Sequence, residues 1–203
     1  MNVRAIKYQR FVSISLGLAV IAGVVSACGT QPRDTFDLGV NNVVTDDSTK
    51  HKKIQILIDK PDAVKAFDGQ DIVIKQGAAL AYLKKAQWSD RLPDLIQARL
   101  IQAFDNSGHF GGVGRPGDGL AINYQILTDI RSFDVNIANG HDVAFLEIAV
   151  KIMDDSNGNI IASHIFSARS PVTGTGNNQY VAALDNAFKK VTADIVSWTI
   201  SSI

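Results

Sequence analysis

The chain holds a single cysteine, Cys28, among its 203 residues. No disulfide can form within it, and a zinc site built on several thiolates is excluded. Neither sign of charge prevails, because 20 basic and 20 acidic residues cancel. That balance leaves no basic footprint for nucleic acid. Histidine is scarce and scattered at His51, His109, His141 and His164, with no pair at the helical spacing that lets two rings share a metal. No Gly-x-Ser-x-Gly elbow occurs, so the usual nucleophile turn of a hydrolase is missing. Beyond Cys28 no apolar run is long enough to cross a hydrocarbon layer about 30 Å thick.

The first 28 residues have a different character. Arg4, Lys7 and Arg10 form a basic n-region, and no acidic residue occurs before Asp34. Phe11 to Val25 is an apolar run broken only by Ser and Gly. That is the layout of a secretory leader, its core too short to span a membrane. Small residues then lead into the lone cysteine, in Val25-Ser26-Ala27-Cys28, which resembles the bacterial lipobox. The resemblance implies cleavage between Ala27 and Cys28, diacylglycerol on the thiol and a lipidated mature N-terminus. An acylated Cys28 leaves no thiol for catalysis. The other reading is a soluble exported protein with a stray cysteine. Gly29 rather than Asp follows the cysteine, which by resemblance to the enterobacterial sorting pattern favours the outer membrane, facing the periplasm. The expected organisation is a removed leader over 1–27, a lipidated tether over 28–34 and one domain over 35–203.

Within that domain, Thr35 to Leu38 alternates as a first strand, and residues 41–53 are polar enough to be a solvated loop. Ile54–Ile58, Asp71–Lys75 and Leu80–Ala86 read as strands, with a hairpin connection over Lys75–Leu80. From Arg91 to Asn106 the period becomes helical through Leu92, Leu95, Ile96, Leu100, Ala103 and Phe104. Ser89 or Asp90 is available as N-cap, Pro93 fits the first turn, and Ser107-Gly108 ends the helix. The glycine-rich His109–Gly119 is expected to be a loop. Three strands then follow as an antiparallel meander over 122–130, 144–152 and 160–168, turned at Asn139-Gly140 and at Asp154–Asn159. Val181, Leu184, Phe188, Val191, Ile195 and Trp198 make one stripe on a final helix, which could pack on a sheet or serve as a coiled-coil seam. The expectation is an α+β fold: an antiparallel or mixed β-sheet with two main helices packed on one face.

Several fragments imitate sites. Gly112-Val113-Gly114-Arg115-Pro116-Gly117 matches Gly-x-Gly-x-x-Gly, but a helix precedes it and a strand follows, the reverse of a dinucleotide fingerprint. Asp155-x-Asn157-x-Asn159 resembles the start of a calcium loop, yet position six is Ile160 and position twelve Phe166, so the glycine and the bidentate glutamate are both missing. It reads as a turn. His164 within a strand is a sheet histidine before it is a ligand. No catalytic residue, cofactor or metal is assigned, and the expectation is a protein that is not an enzyme.

The most specific stretch runs from Tyr82 to Phe110. It joins Ala81-Tyr82-Leu83 to Ala86-Gln87-Trp88-Ser89-Asp90-Arg91-Leu92-Pro93 and closes on Ser107-Gly108-His109-Phe110. This resembles the ABC-type transport auxiliary lipoprotein family, which includes the PqiC-like lipoproteins, with Thr35-Phe36-Asp37-Leu38 similar to the family's Tyr-x-Leu start strand but with Phe for Tyr. The resemblance implies an accessory part of an MCE-type ABC system that moves lipids between inner and outer membranes. The lipoprotein would dock to the MCE-domain protein from the outer-membrane side, anchored through its own N-terminal lipid, with a homo-oligomer as a further possibility. Trp88 could anchor such an interface or cap the core, and the loop Gly111–Gly119 is the candidate partner-facing element. Two other functions stand beside docking: a lipid-binding lipoprotein that accepts the cargo itself, and a structural envelope lipoprotein.

Overall fold

A computed structural model describes residues 32–40, 51–138 and 141–203, and residues 33–203 cluster as one unit. The leader, Cys28, the tether up to Gln31, the polar stretch 41–50 and the Asn139-Gly140 turn lie outside the described residues.

The meander forms the backbone of the fold. Strands β8 (Tyr124–Asn136), β9 (Val143–Asp154) and β10 (Ile160–Pro171) pair antiparallel in sequence order. On β9, Leu146, Ile148, Val150 and Ile152 are all at most 1% exposed, while Lys151 faces outward. On β8 the buried apolar positions are even through Ile130 and odd from Phe133, because the register shifts between Ile130 and Ser132. One extra residue at this bulge returns the apolar side chains to the core face. The same shift explains why the alternation read from the sequence ends at Ile130, although the strand continues to Asn136.

The other edge of β8 takes three short partners in parallel: β2 (His51–Ile58), β3 (Asp62–Ala63) and β4 (Val73–Gln76). Strand β5 (Ala79–Tyr82) folds back antiparallel on β4. The sheet is therefore mixed. Three expectations need correction here. The 41–53 stretch is not wholly loop, since β2 starts at His51, whose ring stacks on Phe110. Nor is His109–Gly119 wholly loop, since Phe110–Gly114 is β7, paired parallel with β2. Its glycines serve close approach: a Cβ on Gly111 would lie 2.3 Å from the Lys52 carbonyl oxygen, and one on Gly114 would lie 2.5 Å from Leu120 Cδ1. The stretch expected as one strand over 80–86 is broken into β5 and β6 (Ala86–Trp88), with Lys85 at φ +59° between them.

Helix α1 (Leu92–Ser107) buries Leu92, Leu95, Ile96, Leu100, Ala103 and Phe104, the periodic stripe of the sequence. Its N-cap is Arg91, without a side-chain cap bond, rather than Ser89 or Asp90. Asp90 instead accepts the Arg91 N–H at 2.7 Å, and Pro93 has no N–H to be capped. Gly108 ends the helix at φ +64°, a left-handed position suited to glycine. Helix α2 (Asn177–Ser202) lies against β8, β9 and β10 and touches α1. Its stripe packs on the sheet and is no free coiled-coil seam. Trp88, Phe104, Phe133 and Phe188 fill the space between sheet and helices, each at most 1% exposed. Burying one such side chain contributes roughly 1.5–3 kcal/mol.

Candidate functional site

The chain enters this body through a clamp. Strand β1 (Asp34–Phe36) pairs parallel with β6, placing Phe36 beside Trp88. Asp34 N–H donates to Lys85 O at 2.9 Å, and Ser89 N–H donates to Phe36 O at 2.7 Å. Arg33 pairs with Asp71 and reaches Gln87 Oε1 at 3.4 Å. Arg99 pairs with Asp37 and donates through Nε to Leu38 O at 2.7 Å. The hydrogen bond from Arg99 holds the Asp37 carboxyl below its ordinary value. Further on, Gly39 N–H donates to Asp185 Oδ1 at 2.6 Å, and a Cβ there would sit 2.7 Å from Lys189 Cε. Every residue from Arg33 to Asp37, with Gly39, is thus held by strand pairing, charge or close packing. Whatever precedes Arg33 is attached to a fixed point.

The individual candidates separate clearly on this frame. Trp88 is 1% exposed and meets Phe133 edge-on at 5.7 Å, so it caps the core. His164 stands exposed on β10, 4.6 Å from the Phe166 ring and 6.0 Å from Trp198. His51 Nε2 lies 3.0 Å from Ile200 O, and His109 is buried. The acidic turn spends its charge on itself: Asp154 accepts from Ser156 N–H at 2.9 Å, Ser156 Oγ at 2.6 Å and Asn157 Nδ2 at 3.2 Å. Those bonds, the Ser156 hydroxyl first, pull the Asp154 carboxyl below its usual range. The Gly-x-Gly-x-x-Gly run is the end of β7 followed by a turn, with Gly117 and Gly119 at φ +97° and +73°. No group of three or more His, Cys, Asp or Glu able to hold a metal occurs among the described residues. Ala27 and Cys28, the expected cleavage and lipidation site, lie outside the described residues.

Two surfaces stand out among the described residues. On the face of the meander turned away from the helices, Arg131, Ala149, Lys151, Ser163 and Ile165 line a shallow cleft of about 460 Å³. At the other end of the sheet, the β4–β5 hairpin presents Ala78, Ala79, Leu80, Ala81 and Tyr82, every one of them exposed. Sequence reading placed the hairpin but missed its exposure. The available signal was the failure of Ala78–Ala81 to alternate with any polar residue.

A family model described as ABC-type transport auxiliary lipoprotein component matches residues 36–196. An uncharacterized protein of Bradyrhizobium diazoefficiens, bll6063, is 30% identical over 116 residues, 57% of this chain and 31% of that protein. The chain thus spans under a third of that relative's length. Among solved structures, protein XCC0632 of Xanthomonas campestris superposes with a TM-score of 0.77 at 24% identity, over 83% of this chain and 95% of that one. The hypothetical protein CT253 of Chlamydia trachomatis shares the fold at a TM-score of 0.52 and 7% identity, over 73% and 96%.

Proposed function

The chain belongs to the ABC-type transport auxiliary lipoprotein family, and from that membership we propose that it is a lipid-anchored, non-catalytic accessory component of an MCE-type ABC transporter. A lipoprotein of this family has its place in the cell envelope. The acyl chains on Cys28 would fix it to the outer membrane on the periplasmic side, and it would dock to the MCE-domain protein while lipids pass between the two membranes. The observation that carries this reading is the family match over 36–196, joined to a body that grips its own entry strand from Arg33 onward. An anchored docking part needs a rigid domain on a short leash, and the clamp supplies the rigid end.

The filled space between sheet and helices favours docking over a module that takes lipid into itself. Trp88, Phe104, Phe133 and Phe188 occupy the layer where a cargo cavity would have to open. Among the described residues, no helix is long and apolar enough to cross a membrane, which suits attachment through the N-terminal lipid. Crosslinking mass spectrometry on intact envelopes, with this protein as bait, tests the reading. Crosslinks to an MCE-domain protein are expected. Crosslinks confined to itself or to unrelated envelope proteins would remove the transport role.

A further inference from the structure

The β4–β5 hairpin breaks the rule that organises the rest of the sheet. Elsewhere exposed positions are mostly polar or charged, yet Ala78 to Tyr82 is a run of five exposed apolar residues without interruption. Leu80 is 51% and Tyr82 49% exposed. Such a run is a defect in a domain that meets only water, and where it persists it marks a contact. Strand β5 is also a sheet edge, since it pairs with β4 alone. Sheet edges are ordinarily guarded by charge, but here the charges stand at the borders: Lys75 before the run, and Lys84 and Lys85 after it. An apolar patch with a tyrosine, collared by lysines, has the chemistry of the interface of an anionic bilayer.

The route of the chain selects that occupant. Asp34 lies opposite Ala86, and the pairing is parallel. Read backwards from Asp34, the chain therefore heads toward Lys85, Lys84 and the hairpin. From Arg33 to Cys28 it can extend about 17 Å at most, at about 3.5 Å per residue. Acyl chains on Cys28 would hold this end of the body within that distance of a bilayer. We infer that the β4–β5 hairpin is a second membrane contact, with Leu80 and Tyr82 seated in the lipid interface and Lys75, Lys84 and Lys85 against anionic headgroups. This rests on the anchor proposed at Cys28. Two contacts define an orientation where one tether leaves the body free to tumble. The clefted face of β8–β10 would then be the part presented away from the membrane.

The test uses the full lipoprotein reconstituted into vesicles of phosphatidylethanolamine and phosphatidylglycerol. Leu80→Cys and, separately, Tyr82→Cys each carry an environment-sensitive fluorophore, and Ile165→Cys is the comparison site. Strands β8 and β9 separate β10 from β4, so at about 5 Å per strand spacing the comparison site lies well away from the hairpin. Acylation blocks Cys28, so the introduced thiol is the one labelled. Lipids bearing nitroxides on their acyl chains should quench positions 80 and 82 severalfold more than position 165. Equal quenching at all three positions overturns the inference. So does a fluorophore at 80 that is shielded from water yet unquenched, because a second protein or another copy would then cover the hairpin. Intact mass of the protein separates the two failures. Acyl mass on Cys28 without quenching sinks the hairpin contact alone, whereas a missing acyl mass sinks the anchor and the contact together.

Discussion

The α2-covered core and the β4–β5 hairpin are both apolar, and they use that property in opposite ways. Between β8 and α2, Phe133 meets Trp88 on one side and Phe188 on the other at 5.7 and 6.1 Å, with water excluded. On the hairpin, Leu80 and Tyr82 are about half exposed. The same side-chain chemistry is thus spent on stability in one region and left open for contact in the other. Composition cannot distinguish the two, because the difference lies in whether a second layer arrives to cover the strand. Substitutions can.

The largest effect is expected at the centre of the core. Trp88→Ala removes a fully buried indole that no neighbour can replace and should cost about 3–5 kcal/mol, read as a large drop in the urea midpoint. Gly111→Ala comes next. Its new Cβ would meet backbone, the Lys52 carbonyl at 2.3 Å, so β7 must part from β2 at a cost of about 1–3 kcal/mol. Weakened amide protection confined to β2 and β7 would identify the cause, and unchanged protection there would refute it.

The clamp should respond to pH. Bonding to Arg99 lowers the folded Asp37 carboxyl below its ordinary 3.8. Its stabilisation is therefore complete above the unfolded value and is lost as pH falls through the folded one. The Asp37 side chain is 55% exposed, so screening limits the pair to less than about 1 kcal/mol. Asp37→Asn should lower stability by that much at neutral pH and by progressively less as the pH falls below the ordinary carboxylate range, measured as paired urea melts. The smallest effect belongs to the hairpin: Leu80→Ser should change folding stability by no more than about 0.5 kcal/mol. A loss as large as that at Trp88 would show that the hairpin is covered within the folded chain and would erase the contrast between the regions.

Much of this architecture was readable before any coordinates. The stripes of α1 and α2 and the face of β9 are long, regular periodicities, and a long period survives local exceptions. Leu92 to Phe104 and Val181 to Ile195 were therefore placed correctly. What failed was local and had local causes. The bulge at Arg131 changed the parity of β8 midway and hid its second half. The glycines of β7 signalled a loop because composition does not reveal that Gly111 faces another backbone at contact distance. The parallel pairing of β2 with both β7 and β8 leaves no periodic trace, since parallel partners are set by connections and not by alternation. Trp88 shows the remaining gap: whether it faced a partner or the core depended on where Phe133 would lie.

The position of β2 also bears on how the domain assembles. Its two neighbours, β7 and β8, both come later in the chain, with α1 and the β4–β6 segment intervening. The β8–β9–β10 hairpins and α2 can close through short connections, so their loop entropy is small. Strand β2 and the entry strand β1 gain their partners only after distant segments have been made. Such non-local pairing is slow. A chain delivered N-terminus first would therefore hold β1 unpaired until β6 had emerged and β2 unpaired until β7 had, and β8 would join the other edge of β2 only after the middle of the domain was made.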